Sequence, residues 1–109
     1  MPLFGRTTRM AFLEDGEHLF VIDLTYMTPL ENFDPLVAPH FAFIERVYAS
    51  GRLLTSGAKV PRTGGVIIAR GRSIDDIEVL IKDDPFHSAG VADYKITEFR
   101  PGNVAAALK

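Results

Sequence analysis

The chain has 109 residues, of which 47% are hydrophobic and 24% are charged, with a formal net charge of -2. These proportions are typical of one globular domain and exclude disordered and fibrous classes. The acidic balance argues against nucleic acid as a partner, and no apolar run approaches the ~20 residues that span a bilayer, so we expect no membrane partner. The absence of cysteine excludes disulfides and thiolate chemistry, and the default expectation is a cytoplasmic protein.

The first predicted element is a strand at His18–Tyr26, preceded by an N-terminal extension at residues 1–17. Side chains of the strand alternate between two faces, and both faces carry apolar residues. Asp23 lies on the less apolar face. Since both faces are apolar, both are expected to be covered.

A helix is predicted to run from Leu36 to about Ser50, after a loop at residues 28–35. Apolar positions recur at helical spacing, and one histidine shares their face: Leu36, His40, Phe43, Ile44 and Val47. Gly51 is a natural C-terminal cap, and Pro39 is tolerated best in the first turn of a helix. His40 is therefore expected near the helix N-terminus, pointing inward.

The remaining predicted elements are two strands, a helix and a last strand: Leu53–Lys59, Val66–Ala69, a helix capped by Ser73, and Val91–Phe99. The second helix should end before Pro85, which places Asp84 at a helix C-terminus; residues 102–109 form a tail. The order βαββαβ predicts an α+β, ferredoxin-like fold, with a four-stranded antiparallel sheet and both helices on one face. The other face would be closed by a second copy in a homodimer, with Asp23 lining its interior.

The leading chemical hypothesis is a pair formed by His40 and Asp84. A buried imidazole needs a hydrogen-bond partner, because leaving it unpaired would cost roughly 1–3 kcal/mol. A histidine held by a carboxylate can serve as a general base, with the aspartate orienting the ring and stabilising its protonated form. The alternative is a structural core histidine and an aspartate that only ends a helix.

Further residues are candidate substrate contacts. Ser56 ends the second strand, Arg62 opens a turn with Thr-Gly-Gly that could cradle an anion, and His87 could enter the pocket from the loop after Phe86, itself a candidate contact. Asp23 is a second candidate carboxylate. Each has a simpler interpretation as ordinary turn, loop or strand chemistry.

No metal or cofactor is expected. The histidines at 18, 40 and 87 and Asp84 lack the paired ligand spacing of helical metal motifs. Nothing beyond a lone histidine points to a haem pocket.

Four short motifs, in this order and spacing, resemble the YciI-like (YCII-related) family: APHFAFIE at 38–45, GRLLTSG at 51–57, DPF at 84–86 and AGV at 89–91. The resemblance covers residues 18–101. It implies a dimeric α+β barrel of ferredoxin-like units with His40 and Asp84 as an active-site pair. A related protein is a cofactor-independent dehydrochlorinase acting on a chlorinated hydroxyhydroquinone, and the wider dimeric barrel group includes muconolactone isomerases and haem proteins. Lyase or isomerase chemistry is the activity that fits this resemblance best.

Two functions therefore remain open at this stage. The first is a cofactor-independent lyase or isomerase that transfers a proton on a small cyclic or phenolic substrate. The second is a non-catalytic dimer that binds a small molecule or serves as an accessory domain. The second is motivated by the lack of a nucleophile, a metal motif and a cofactor fingerprint.

Overall fold

The computed structural model describes residues 12–109. Four strands and three α-helices follow one another in this part of the chain: β1 His18–Tyr26, α1 Val37–Ala49, β2 Leu53–Ala58, β3 Gly64–Gly71, α2 Ile74–Ile81, α3 Pro85–Ser88 and β4 Ala92–Phe99. Short 3₁₀ helices occupy Leu30–Leu36 and Ala106–Leu108. No helix within residues 12–109 is long and apolar enough to cross a bilayer.

The four strands form one sheet in the order β2-β3-β1-β4, and all neighbouring strands are antiparallel. Ile22 in the middle of β1 faces Ile67 of β3 on one side and Ile96 of β4 on the other. The non-consecutive order arises because each helix connects strands that are not sheet neighbours. The predicted ferredoxin-like α+β fold is confirmed.

One face of the sheet carries the hydrophobic core. Alternation along β1 places Phe20, Ile22 and Leu24 on this face, and each is at most 3% exposed. Helix α1 covers it with Phe43, Ile44 and Val47, and α2 covers it with Ile77 and Ile81, so both helices pack on the same side as predicted.

Helix ends follow the local sequence signals. Gly51 adopts a φ of +83° just beyond α1, a conformation that favours glycine and stops the helix. Ser73 caps α2 by accepting a hydrogen bond from the Asp76 amide at 3.2 Å. The observed bounds of α1 therefore agree closely with the predicted ones.

Two short helices replace predicted loops. The segment expected as a loop at 28–35 is largely 3₁₀ helix, and the segment after Asp84 is α3 rather than a loop. Asp84 caps α3 and Pro85 occupies its first turn, where a proline loses no hydrogen bond. Asp84 thus lies at a helix N-terminus as well as after the end of α2.

The predicted N-terminal extension is only partly described, since residues 1–11 lie outside the described range. Its last residues contact β3 and the turn that follows. Arg70 donates to the Phe12 carbonyl at 3.2 Å and to Glu17 at 3.0 Å, and Arg72 donates to the Asp15 carbonyl. These contacts attach residues 12–17 to the sheet.

Candidate active site

His40 and Asp84 meet although they are far apart in the sequence. His40 lies in the first turn of α1, and its Nδ1 is 2.7 Å from Oδ1 of Asp84. The Asp84 side chain is 1% exposed and that of His40 is 15% exposed. The carboxylate is therefore sealed inside the protein, whereas the imidazole keeps one edge accessible.

The position of Asp84 corrects the sequence-based argument about its surroundings. The sequence places Asp84 at a helix C-terminus, where the helix dipole disfavours a carboxylate. Instead, Asp84 is the N-cap of α3, and its Oδ1 accepts the amide of Phe86 at 3.0 Å. Oriented amides at a helix N-terminus favour a negative charge, so the local backbone supports the carboxylate.

Tyr94 is a partner of Asp84 that the sequence did not reveal. Its hydroxyl group donates to Oδ2 at 2.5 Å, so each carboxylate oxygen has at least one donor. Burial, the hydrogen bond to Asp84 and the charge of that carboxylate raise the pKa of Tyr94. The phenol therefore stays protonated and remains a donor. The period-2 alternation of β4 was the available signal, because it places Tyr94 opposite Leu24 on the core face.

Phe86 fixes the plane of the imidazole. The rings of His40 and Phe86 stack with centroids 3.8 Å apart and an interplanar angle of 5°. Phe33 contacts Phe86 edge-on at 4.9 Å, which holds the phenyl ring from the other direction. Helix α3 thus supplies both contacts that orient His40: the Asp84 carboxylate at the ring edge and Phe86 at the ring face.

His40 opens onto a cavity of about 310 Å³ between α1 and the sheet. Its walls are mostly apolar, from α1, β1 and β3, and include Phe41 and Ile44. A cavity of this size accommodates a single-ring molecule. Three of the predicted substrate contacts line it: Ser56, Arg62 and Phe86.

The polar lining of the cavity is sparse and carries positive charge. Arg62 has no ion-pair partner among residues 12–109, and no carboxylate lines the cavity there. Ser56 forms a hydrogen bond of 2.7 Å with the Tyr48 hydroxyl, which positions its own hydroxyl at the wall. An anionic group near Arg62 would therefore meet attraction rather than repulsion.

Two predicted substrate contacts lie outside this cavity. Asp23 is on the opposite face of the sheet, where its carboxylate is 2.5 Å from Nζ of Lys59. His87 is exposed on α3, and its ring contacts Tyr94 at a centroid distance of 5.2 Å. The sequence placed Asp23 on the less apolar face of β1 but could not place the cavity on the other side of the sheet, and it could not show which side of α3 His87 occupies.

No group of three or more histidine, cysteine, aspartate or glutamate side chains within residues 12–109 is arranged to hold a metal ion.

The model of the YCII-related domain matches residues 18–100 of the sequence. The chain belongs to the YCII-related family. This confirms the resemblance drawn from the short motifs at 38–45, 51–57, 84–86 and 89–91, which all lie within the YCII-related domain. No curated protein matches the chain.

Among solved structures, this YCII-related chain is similar to the 5-chloro-2-hydroxyhydroquinone dehydrochlorinase (TftG) from Burkholderia phenoliruptrix AC1100, determined in complex with 2,5-dihydroxybenzoquinone. The two chains are 22% identical with a TM-score of 0.67, and the match covers 77% of this chain and 95% of the other. At this identity the likeness shows a shared fold.

Proposed function

We propose that this protein is a cofactor-independent enzyme that transfers a proton on a small cyclic, phenolic substrate, in lyase or isomerase chemistry. The observation that carries the proposal is the 2.7 Å bond between His40 and Asp84 at the wall of the cavity. A buried carboxylate paired with a partly accessible imidazole is a frequent arrangement for general-base catalysis.

The direction of the hydrogen bond defines the role of each nitrogen. An ionised carboxylate only accepts hydrogen bonds, so Nδ1 of His40 carries the proton that it donates to Asp84. Nε2 of the neutral ring is then an acceptor, and no described residue donates to it. Substrate in the cavity can therefore lose a proton to Nε2, and the resulting imidazolium faces the Asp84 carboxylate.

The electron pair released by the proton determines the outcome. If a hydroxyl group is deprotonated, its electrons form a carbonyl and the displaced ring electrons take up a proton from the imidazolium at the carbon that bears a leaving group. Loss of a second hydroxyl proton to the neutral histidine then lets the leaving group depart with its electron pair, which completes an elimination. If no leaving group is present, the imidazolium returns the proton to another atom of the ring in an isomerisation. In either case the histidine ends neutral or passes its proton to solvent, and no electron donor or acceptor is required.

Cavity size, lining and the structural likeness support the substrate class. The volume of about 310 Å³ and the apolar walls suit one aromatic or quinonoid ring. We propose Ser56 and Arg62 as contacts for its oxygen substituents and Phe86 as a neighbour of the ring. TftG, whose fold this chain shares, acts on a chlorinated hydroxyhydroquinone.

We also propose that the protein is a homodimer, and a cytoplasmic location remains a prediction. The sheet face opposite the helices carries apolar side chains that include Val21, Ile68 and the 43%-exposed Phe99. A second copy packed on this face would cover them and would enclose Asp23 as predicted. Light scattering on the purified protein decides this: a mass of one chain would contradict the dimer.

Chloride release from 5-chloro-2-hydroxyhydroquinone tests the enzymatic proposal. We expect the wild type to release chloride and the His40→Ala variant to be slower by about a hundredfold or more, the usual contribution of a general base. His87→Ala is the matched control, because it removes an exposed imidazole outside the cavity and should retain wild-type activity. Equal rates for His40→Ala and the wild type would refute the proposal. Tight binding of 2,5-dihydroxybenzoquinone without turnover of any substrate would favour the non-catalytic binding protein.

A further inference from the structure

Asp84 has more hydrogen-bond donors than a histidine partner requires. Its Oδ1 receives His40 and the Phe86 amide, and its Oδ2 receives the Tyr94 hydroxyl. With Asp84 1% exposed, bulk water has little access to either oxygen. The tyrosine is therefore the partner that the structure provides for Oδ2.

We propose that Tyr94 is a positioning residue, which holds the Asp84 carboxylate in the orientation that keeps the His40 proton on Nδ1. The inference rests on the proposed function, because it assigns a role in the same proton transfer. Tyr94 does not line the cavity, so it acts through Asp84 rather than on the substrate.

The geometry explains why this bond matters. The other two donors both bind Oδ1, and rotation about the bond between Cβ and Cγ moves both oxygens together, so any turn of the carboxylate that loosens its bond to His40 also displaces Oδ2. The Tyr94 hydroxyl fixes the second oxygen, and the plane of the carboxylate is then defined. A fixed plane aims a lone pair of Oδ1 at Nδ1 of His40, which favours the tautomer with Nε2 available to substrate.

The hydrogen bond from Tyr94 also brings no second negative charge next to the Asp84 carboxylate. Tyr94 donates and cannot supply a negative charge, since burial and the neighbouring carboxylate raise its pKa. Both hydrogen bonds therefore run toward the carboxylate, with Tyr94 donating to Oδ2 and His40 donating to Oδ1 of Asp84. Residues that orient a catalytic group contribute measurably to the reaction rate although they do not contact the substrate.

Tyr94→Phe removes the hydroxyl and keeps the ring, and it is measured in two ways. With the substrate that the wild type turns over, kcat should fall roughly tenfold, the rate equivalent of one hydrogen bond to a charged group, and KM should stay unchanged. Long-range nitrogen–proton NMR of neutral His40 should show the Nδ1–H form in the wild type and an increased share of the Nε2–H form in the variant.

Tyr48→Phe is the control for the NMR measurement. It removes a phenol hydroxyl whose partner is Ser56, and the His40 tautomer should stay as in the wild type. An unchanged tautomer in Tyr94→Phe would overturn the positioning role, whatever happens to kcat. Since this readout needs no turnover, it decides the role of Tyr94 even if no substrate is found and the proposed function fails.

A second measurement covers the case in which Tyr94→Phe does not fold. In the wild type, the Tyr94 hydroxyl proton should give a slowly exchanging, downfield resonance with a cross-peak to the β-protons of Asp84. Fast exchange of this proton with solvent would overturn the proposal.

Discussion

Asp84→Ala should destabilise the protein far more than an ordinary surface substitution. The side chain is 1% exposed and accepts hydrogen bonds from His40, Phe86 and Tyr94. Loss of an N-cap costs about 1 kcal/mol, and loss of a bond to a charged group costs about 1.5–3 kcal/mol. Water can replace part of the bond to His40, which is 15% exposed. The expected loss in the free energy of unfolding is therefore about 3–5 kcal/mol.

Urea denaturation followed by circular dichroism measures this loss. With a slope of about 2 kcal/mol per molar urea, the midpoint should fall by roughly 2 M. Asp84→Asn keeps the shape and one carbonyl oxygen, so we expect about half of that decrease. Asp83→Ala is the matched control, because it removes an exposed carboxylate from the preceding residue and should change stability by less than about 0.5 kcal/mol. A decrease in Asp84→Ala no larger than that in Asp83→Ala would refute the account of the buried carboxylate.

Three further predictions concern other parts of the molecule. Burial and the adjacent carboxylate raise the pKa of Tyr94, so this phenol loses its proton at a lower pH in the unfolded chain than in the folded protein. The stability that the protonated phenol contributes is therefore fully present below about pH 10 and declines above it. The urea midpoint of Tyr94→Phe should accordingly fall less at alkaline pH than that of the wild type. Arg62→Gln should raise KM for an anionic substrate roughly fivefold, as expected for the loss of an exposed charge contact. Arg100→Gln, which lies outside the cavity, should leave KM unchanged, and equal KM values for the two variants would show that Arg62 does not contact the substrate. Gly64→Ala would place a β-carbon 1.8 Å from a carbonyl oxygen of β1 and should lower the free energy of unfolding, measured by heat or urea, by at least ~2 kcal/mol. Gly57→Ala is the control, because its β-carbon would meet no atom within 4 Å, and similar losses in the two variants would contradict the register at β3.

The long elements could be predicted because their signals are repeated along the chain. The apolar stripe from Leu36 to Val47, with Pro39 in the first turn and Gly51 after the last, determines α1 and the inward direction of His40. Periodicity over several turns outweighs local ambiguity. The order of elements then restricts the topology to the ferredoxin-like sheet that is observed.

The short helices could not be predicted in the same way. Helix α3 has four residues, which is too short for a 3.6-residue period to be visible. Its sequence signal was a capping aspartate followed by proline at the first helical position, and the end of α2 masked that signal. The role of Asp84 as the N-cap of α3 was therefore missed, although its position after the end of α2 and its partner His40 were predicted.

The contact with the third partner of the carboxylate depends on tertiary structure, because the alternation of β4 shows only which face Tyr94 occupies. Tyr94 is ten residues from Asp84 in the chain, and their contact requires β4 to pair with β1 beneath α3. In the same way, the sequence placed Asp23 on the correct face of β1 but could not place the cavity on the other side of the sheet. Positions across a sheet follow from strand order rather than from local pattern.

The proposed function requires His40 and Asp84 to act as one unit in proton transfer, and a double-mutant cycle on kcat/KM tests this most directly. The variants are His40→Ala, Asp84→Asn and the two combined, all checked for folding. Residues that act through one another have strongly non-additive effects. We predict that the double variant is as slow as His40→Ala alone, because the aspartate has no role once the imidazole is absent. Rate losses that multiply in the double variant would show that the two residues act independently and would contradict the account.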